Sequence, residues 1–214
     1  MGTTLDITGY AKDQVPNEFL RSDQSSRVLA ILLPGKGYTT SMPLLFYAEN
    51  LSFYRNWDVL RVNYNYLRLD ISGEEIVSRL VADTRAAIEA GLRQGNYSNV
   101  VVFGKSLGTI AMANSIDLLA NKIARWIWMT PLLKVDEVHQ AIQQSGSDSI
   151  AVIGTADSQF DSDVVADLAH ANVRSVVVKN ADHGMGIEGD VPASIAALGT
   201  VFSEIDNFLV GFGE

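Results

Sequence analysis

The chain has 214 residues, of which 47% are hydrophobic and 19% are charged. This length fills a single domain, residues 1–214, and the hydrophobic content is too high for a disordered chain. The net charge of −9, from 16 basic and 25 acidic residues, disfavours nucleic acid and anionic membranes as partners. The chain has no cysteine and 3 histidines, which excludes thiolate chemistry and argues against a metal centre.

Six apolar segments rich in β-branched residues predict buried strands, at 27–33, 57–64, 99–104, 124–130, 149–154 and 173–179. The segments between and after them have helical spacing, at 43–56, 74–94, 106–121, 134–144, 163–171 and 192–212. Because strands and helices alternate and the strands are continuously apolar, the sequence predicts an α/β fold. We expect a doubly wound, mostly parallel sheet with helices on both faces and the ligand site at the carboxyl ends of the strands.

Other parts of the chain carry weaker signals. We expect a leading edge strand at 5–10, and flexibility in the first ~20 residues and in the polar segment 145–149. The connection 131–148 holds one helix and no separate lid domain, so an open site is expected. No apolar stretch reaches the roughly 18 residues of a membrane span. The N-terminal residues lack a targeting pattern, so the expected location is cytoplasmic.

The segment Gly104-Lys105-Ser106-Leu107-Gly108 lies between a predicted strand and a predicted helix. This is the G-x-S-x-G pattern, in which a serine stands on a tight strand-to-helix turn and the glycines let the two backbones approach closely. The N-terminus of the following helix also favours negative charge beside the serine. Ser106 is therefore the candidate nucleophile.

A serine hydroxyl becomes a good nucleophile when a base takes its proton and a carboxylate orients that base. Asp157 follows the strand predicted at 149–154, and His183 follows the strand predicted at 173–179. The order Ser106, Asp157, His183 is the chain order of serine hydrolases that use this kind of turn. These residues are the candidate catalytic triad.

The remaining histidines and neighbouring aspartates are alternatives to this assignment. His139 and His170 lie in predicted helices, where a surface or capping position is expected. Asp161 and Asp163 suit the first turn of the following helix. Asp182 directly precedes the chosen histidine, and adjacent side chains tend to point apart.

Acyl transfer also needs hydrogen-bond donors for the oxyanion of the tetrahedral intermediate. The backbone N–H of Leu107, directly after the nucleophile, is the first expected donor. The turn at 34–37, after the strand predicted at 27–33, offers the second donor from the amide of Lys36 or of Gly37.

Aromatic and flexible apolar residues in the same loops are candidates for an acyl or alcohol pocket. They are Tyr38, Met42, Tyr64, Tyr66, Phe160 and Met185. Two lysines, Lys36 and Lys105, would flank the serine, and Lys105 is included in the predicted pocket. The two lysines either attract an anionic group of the substrate or point to solvent as ordinary loop residues.

With these motifs the chain resembles the α/β-hydrolase superfamily, and within it the small dienelactone-hydrolase-like members without a lid. The resemblance rests on LPGKGYT at 33–39, GKSLG at 104–108, GTADSQFD at 154–161 and ADHG at 181–184. It implies a serine hydrolase with Ser106 as nucleophile, Asp157 as acid and His183 as base. It also implies the amides of Leu107 and Lys36 as oxyanion donors. Dienelactone hydrolases proper carry cysteine where this chain has Ser106.

The expected activity is cleavage of small soluble esters through an acyl-enzyme, with a small-molecule ester as substrate and no metal or organic cofactor. Thioesterase, peptidase and perhydrolase activities use the same machinery and are alternatives within the enzymes. A non-catalytic binding or scaffold protein on this fold is the competing class. The sequence leaves the natural substrate and the oligomeric state open.

Overall fold

Seven strands and six α-helices make up the part of the chain that the computed structural model describes, residues 2–64 and 71–213. The strands are β1 (Asn17–Leu20), β2 (Val28–Leu33), β3 (Asp58–Val62), β4 (Asn99–Lys105), β5 (Ile123–Met129), β6 (Ser149–Gly154) and β7 (Arg174–Val178). The helices are α1 (Pro43–Tyr54), α2 (Gly73–Leu92), α3 (Leu107–Ala113), α4 (Asp136–Ser145), α5 (Ser162–His170) and α6 (Val191–Phe208). Apart from α3 and the leading edge strand, the predicted elements differ from these bounds by a few residues.

The strands form one sheet in the order β1-β3-β2-β4-β5-β6-β7. β1 is antiparallel to β3, and each of the other neighbouring pairs is parallel. This confirms the predicted doubly wound, mostly parallel α/β architecture. The chain leaves β2 toward β3 on one side and later returns to add β4 on the other side. The crevice between the ends of β2 and β4 is therefore the topological switch point, where ligands bind in sheets of this kind.

The hydrophobic core has two parts, one on each face of the sheet. In β2, Leu29, Ile31 and Leu33 belong to one part, and the alternate residues Val28 and Leu32 belong to the other. Helices α2 to α5 contribute to the first part and helices α1 and α6 to the second. Because successive strand side chains point to opposite faces and both faces are covered, the strands are continuously apolar, as the sequence shows.

The N-terminal edge differs from the expectation. The edge strand is β1, and residues 5–10 are not a strand, so that prediction is wrong. Asn17 explains the difference, since its side-chain amide accepts from the N–H of Leu5 at 2.9 Å and donates to the carbonyls of Leu5 and Val15 at 2.9 and 2.8 Å. These bonds fold the preceding segment back over the edge of the sheet. Ile7 and Val15 are buried in the core, contrary to the expected loose N-terminus.

Two other segments also depart from the prediction. The helix expected at 106–121 ends at Ala113, and a short 3-10 turn follows at Ile116–Leu119. The side-chain amide of Asn114 donates to the carbonyl of Ile110 at 3.0 Å, which satisfies an acceptor at the helix end. The polar segment 145–149 is ordered by secondary structure, because Ser149 begins β6 and its hydroxyl accepts the indole N–H of Trp128 at 2.9 Å.

The register brings the carboxyl ends of the parallel strands to one edge of the sheet. Leu33 pairs with Gly104 across β2 and β4, and Gly154 pairs with Val178 across β6 and β7. The loops that follow β2, β4, β6 and β7 therefore meet there. Within residues 2–64 and 71–213, no helix is long and apolar enough to cross a membrane, and no group of three or more His, Asp or Glu side chains is arranged to hold a metal ion.

Candidate active site

Ser106 stands between the last residue of β4 and the first residue of α3. Its backbone has φ of 52° and ψ of −115°, a conformation that non-glycine residues rarely adopt. Its N–H donates to the carbonyl of Met129 at 3.1 Å, which ties the turn to the end of β5. The turn therefore raises the Ser106 side chain above the carboxyl edge of the sheet.

The glycines of the motif are required by close contacts. A Cβ atom on Gly108 would lie 2.2 Å from the backbone oxygen of Leu33, and a Cβ on Gly104 would lie 2.0 Å from Sδ of Met112. Any side chain at Gly108 would collide with β2, so α3 could not begin so close to the sheet. The sequence pattern G-x-S-x-G has this steric cause.

The structure brings Ser106, His183 and Asp157 into one hydrogen-bonded chain. His183 Nε2 lies 2.7 Å from Ser106 Oγ, and His183 Nδ1 lies 2.7 Å from Asp157 Oδ2. The three side chains come from the loops after β4, β7 and β6, which are far apart in sequence. The histidine can therefore exchange a proton with the serine on one side while the carboxylate fixes its tautomer on the other.

Asp157 is buried, and each of its two carboxylate oxygens has a hydrogen-bond partner. Its side chain is 0% exposed, and Oδ1 accepts the N–H of Gln159 at 2.9 Å while Oδ2 faces His183. Burial of a carboxylate is unfavourable unless such partners are present. The side chain of His183 is 37% exposed, so substrate can reach the serine from solvent.

The alternative acids and bases have other positions. Asp161 caps α5, since its carboxylate accepts the N–H groups of Asp163 and Val164 at 2.9 and 3.2 Å. Asp182 turns its own loop by accepting from Gly184 and Gly186. His139 lies within α4 and His170 ends α5, where its side chain is 84% exposed. None of these groups contacts Ser106.

Two backbone amides that lie close to Ser106 in the chain or in space have no hydrogen-bond acceptor among the described residues. Leu107 is the first residue of α3, so its N–H has no carbonyl one turn earlier. The loop after β2 touches the serine, because a Cβ on Gly35 would lie 3.0 Å from Ser106 Cβ. In the described ranges the N–H of Lys36 donates to no other group. The amides of Leu107 and Lys36 are therefore free to meet an oxyanion, the amide of Gly37 is equally free, and their role as donors stays a prediction.

A small cavity of about 80 Å³ lies beside this loop, and both Tyr38 and Tyr64 line it. The Tyr38 hydroxyl accepts the N–H of Leu44 at 2.9 Å, and burial raises the pKa of Tyr38. The Tyr64 hydroxyl hydrogen-bonds Thr84 of α2, and burial also raises the pKa of Tyr64. Each tyrosine is thus anchored through its hydroxyl to a neighbouring helix, Tyr38 to α1 and Tyr64 to α2.

The other predicted pocket residues do not line this cavity. Met42 precedes α1 and is 37% exposed, and Phe160 packs against the core on the α2 to α5 face. Met185 is 1% exposed and belongs to the core on the α1 and α6 face, so its prediction as a pocket residue is wrong. The turn that the Asp182 carboxylate closes directs the Met185 side chain into the core. Tyr66 lies outside the described residues.

Sequence reasoning missed Asn63, which lines the cavity between Tyr38 and Tyr64. The residue directly follows β3, and its side-chain oxygen accepts the hydroxyl of Thr40 at 2.9 Å. Its position at the carboxyl end of a predicted parallel strand was the signal that could have identified it.

The two lysines differ in environment. Lys36 is exposed, whereas Lys105 is 4% exposed and its Nζ lies 4.6 Å from the centroid of the Tyr38 ring. Of the two alternatives for the lysines, pointing to solvent therefore does not hold for Lys105, and its place in the predicted pocket stays a prediction. Burial lowers the pKa of Lys105 to about 8, and the negative charges of Asp157 and Asp182 oppose that change.

The chain has structural similarity to several solved hydrolases. An esterase from Pyrococcus furiosus has a TM-score of 0.75 at 13% identity, covering 100% of this chain and 92% of that chain. A lidless α/β serine hydrolase from Xanthomonas campestris has a TM-score of 0.71 at 14% identity, covering 97% and 94%. A candidate α/β hydrolase of unknown function from Agrobacterium tumefaciens has a TM-score of 0.74 at 17% identity, covering 100% and 98%.

No protein-family model matches the sequence, and no curated protein matches it significantly. The similarity to known proteins is therefore structural. The similarity extends over nearly the whole length of each chain, and the mostly parallel sheet, with Ser106, Asp157 and His183 in the loops after β4, β6 and β7, agrees with the sequence analysis. The protein has the α/β-hydrolase fold.

Proposed function

We propose that the protein is a serine hydrolase that cleaves small esters through an acyl-enzyme. The observation that carries the proposal is the continuous chain of hydrogen bonds from Ser106 through His183 to Asp157, with both contacts at 2.7 Å. The esterase from Pyrococcus furiosus and the serine hydrolase from Xanthomonas campestris support it as proteins of the same fold.

The first half of the proposed reaction forms the acyl-enzyme. As Ser106 Oγ attacks the ester carbonyl carbon, its proton passes to His183 Nε2, and the carbonyl oxygen becomes an oxyanion. The N–H groups of Leu107 and Lys36 donate to that oxygen. The bond from carbon to the leaving oxygen then breaks, and His183 gives its proton to the departing alcohol.

The second half releases the acid. A water molecule gives a proton to His183 and its oxygen attacks the acyl carbon. The bond from that carbon to Ser106 Oγ breaks, and the proton returns to the serine. Asp157 stays ionised throughout, because its role is to hold Nδ1–H of His183 and to stabilise the imidazolium.

The cavity beside the loop after β2 supports a small acyl group as substrate. Its volume is about 80 Å³, and Tyr38 and Tyr64 are among the residues that line it. Both tyrosine hydroxyls are already hydrogen-bonded to the protein, so the two rings present apolar surface to an acyl chain. We therefore propose short-chain esters as the substrate class.

The test is covalent labelling with a fluorophosphonate, followed by mass spectrometry of the labelled peptide. We expect a single adduct on Ser106 and no adduct in Ser106→Ala, while Ser158→Ala, which changes an exposed serine near the site, still labels. Circular dichroism checks that the variants are folded. Folded protein that is not labelled, or that is labelled at another serine, would support the scaffold hypothesis and refute the hydrolase.

A further inference from the structure

Lys105 is a buried cation that the proposed reaction does not use. It is the last residue of β4 and directly precedes Ser106, and it is 4% exposed. In the described part of the chain, neither a carboxylate nor a carbonyl hydrogen-bonds its ammonium. The contact that the ammonium does make is with the face of the Tyr38 ring, at 4.6 Å from the centroid, which is within the range of a cation–π interaction.

The stem of Lys105 also supports the loop that carries the proposed oxyanion donor. A Cβ atom on Gly35 would lie 3.2 Å from Lys105 Cδ, so the aliphatic chain lies directly under that glycine. The N–H of Tyr38 donates to the carbonyl of Gly35 at 3.2 Å, which closes the turn around Lys36. Lys105 therefore contacts both ends of the turn.

Within residues 2–64 and 71–213, the tip of the turn makes no side-chain hydrogen bond or ion pair that would hold it in position. The side chain of Lys36 is exposed, and Gly37 has no side chain and a φ of 70°. The turn is thus positioned from its ends, by Gly35 against Ser106 and by Tyr38. The Tyr38 hydroxyl accepts a hydrogen bond from the N–H of Leu44 in α1. This bond anchors the ring that the Lys105 ammonium contacts.

We propose that Lys105 is a positioning residue of the oxyanion site: its stem under Gly35 and its ammonium against the Tyr38 ring hold the turn so that the Lys36 N–H faces the oxyanion. The inference rests on the proposed hydrolase function and assigns a structural cause to its transition-state stabilisation. Removing the ammonium lets the turn relax, and the Lys36 donor moves away from the oxygen that it must meet. A donor that is misplaced in this way lowers kcat more than it changes KM.

The experiment is a double-mutant cycle between Lys105 and Tyr38, with p-nitrophenyl acetate as the substrate. Lys105→Met keeps the length of the stem and removes the charge, and Tyr38→Leu removes the ring. We expect each change to lower kcat about tenfold with KM within twofold, as a displaced oxyanion donor would. In the Tyr38→Leu background, Lys105→Met is expected to have no further effect, because the ring through which it acts is gone.

Two controls make the cycle specific. Lys179→Met removes an exposed lysine after β7 and is expected to leave kcat and KM unchanged. Lys105→Gln provides a second neutral variant, and circular dichroism checks the folding of each protein. Affinity for a boronic acid that mimics the tetrahedral intermediate should fall in parallel with kcat, a change that a purely structural role would not produce.

The outcomes separate this inference from the proposed function. If the wild type is labelled by fluorophosphonate and hydrolyses the ester, but Lys105→Met keeps kcat within twofold, the positioning role is refuted and the hydrolase stands. If Lys105→Met loses the same factor with and without the Tyr38 ring, the lysine does not act through that ring and the proposal also fails. A wild type that is neither labelled nor active refutes the hydrolase and, with it, this role.

Discussion

Replacing Lys105 with methionine is expected to raise the free energy of unfolding at neutral pH. The ammonium is 4% exposed, and burial lowers its pKa from 10.5 to about 8. A lowering of that size corresponds to about 3 kcal/mol lost when the charged group leaves water. The Tyr38 ring returns about 1 kcal/mol, and residual solvent at the edge of the cleft reduces the penalty further. We therefore expect Lys105→Met to stabilise the protein by about 1–2 kcal/mol.

The dependence on pH follows from the same pKa. Below pH 8 the folded and unfolded lysines are both protonated, so the wild type bears the full penalty. Between about pH 8 and 10.5 the unfolded lysine binds a proton that the folded lysine has released, so wild-type stability rises with pH. Methionine has no proton to exchange. The advantage of Lys105→Met should therefore shrink across this window.

The assay is thermal unfolding followed by circular dichroism at several pH values between 7 and 10.5, with Lys179→Met as the matched exposed control. At pH 7 the Tm of Lys105→Met should rise by about 3–6 °C for a chain of this size, and that of Lys179→Met should change little. A Lys105→Met protein that is less stable than the wild type at pH 7, or whose advantage does not decline above pH 8, would refute the reasoning about burial.

Two further predictions concern the triad and Gly108, the second glycine of the G-x-S-x-G motif. His183→Ala and Asp157→Asn should each lower ester turnover by several orders of magnitude, whereas His170→Ala should retain it; steady-state kinetics would expose a wrong assignment if His170 proved the damaging position. Gly108→Ala should destabilise the protein by more than about 2 kcal/mol, because its Cβ would lie 2.2 Å from a backbone oxygen. Gly199→Ala, with nothing within 4 Å, should stabilise α6 by about 1 kcal/mol; equal unfolding midpoints for the two variants would contradict the steric argument.

The fold and the meeting of the three triad residues could be predicted because both depend on local patterns. Continuous apolar strands that alternate with helices define the sheet, and parallel strands place the loops after them at one edge. Ser106, Asp157 and His183 each follow a predicted strand, so the sheet alone brings their loops together. The spacing in sequence was enough for this, and the 2.7 Å contacts fit that placement.

The errors concern side chains whose direction depends on distant contacts. Met185 follows Asp182, whose carboxylate folds the loop by accepting from Gly184 and Gly186, and the resulting turn buries the methionine. The edge strand was misplaced because Asn17 fixes the N-terminal segment through its own side-chain amide. Neither set of hydrogen bonds produces a periodicity or a composition bias that could be recognised in the sequence.

The position of Lys105 shows how a strand that is one residue longer than predicted changes the expected environment of a side chain. The predicted strand ends at residue 104, which leaves the lysine in a loop where exposure is expected. In the structure β4 continues through Lys105, and residues two apart on a strand share a face. Lys105 therefore lies on the same face as Phe103, which is completely buried. A strand boundary is the least certain part of a sequence prediction, and here it decides whether a charge is solvated or buried.

Three departures from ordinary residue preferences meet at the carboxyl edge of the sheet. Ser106 holds a φ of 52°, a conformation that costs about 1–3 kcal/mol in a non-glycine residue. Asp157 and Lys105 place two ionisable groups in the interior. The preceding residues of β4, by contrast, follow the apolar pattern of a buried strand. Each departure lowers stability on its own, and a chain selected only to fold would replace Lys105 with an apolar residue. Their coincidence around one serine is therefore better explained by chemistry at that edge than by folding.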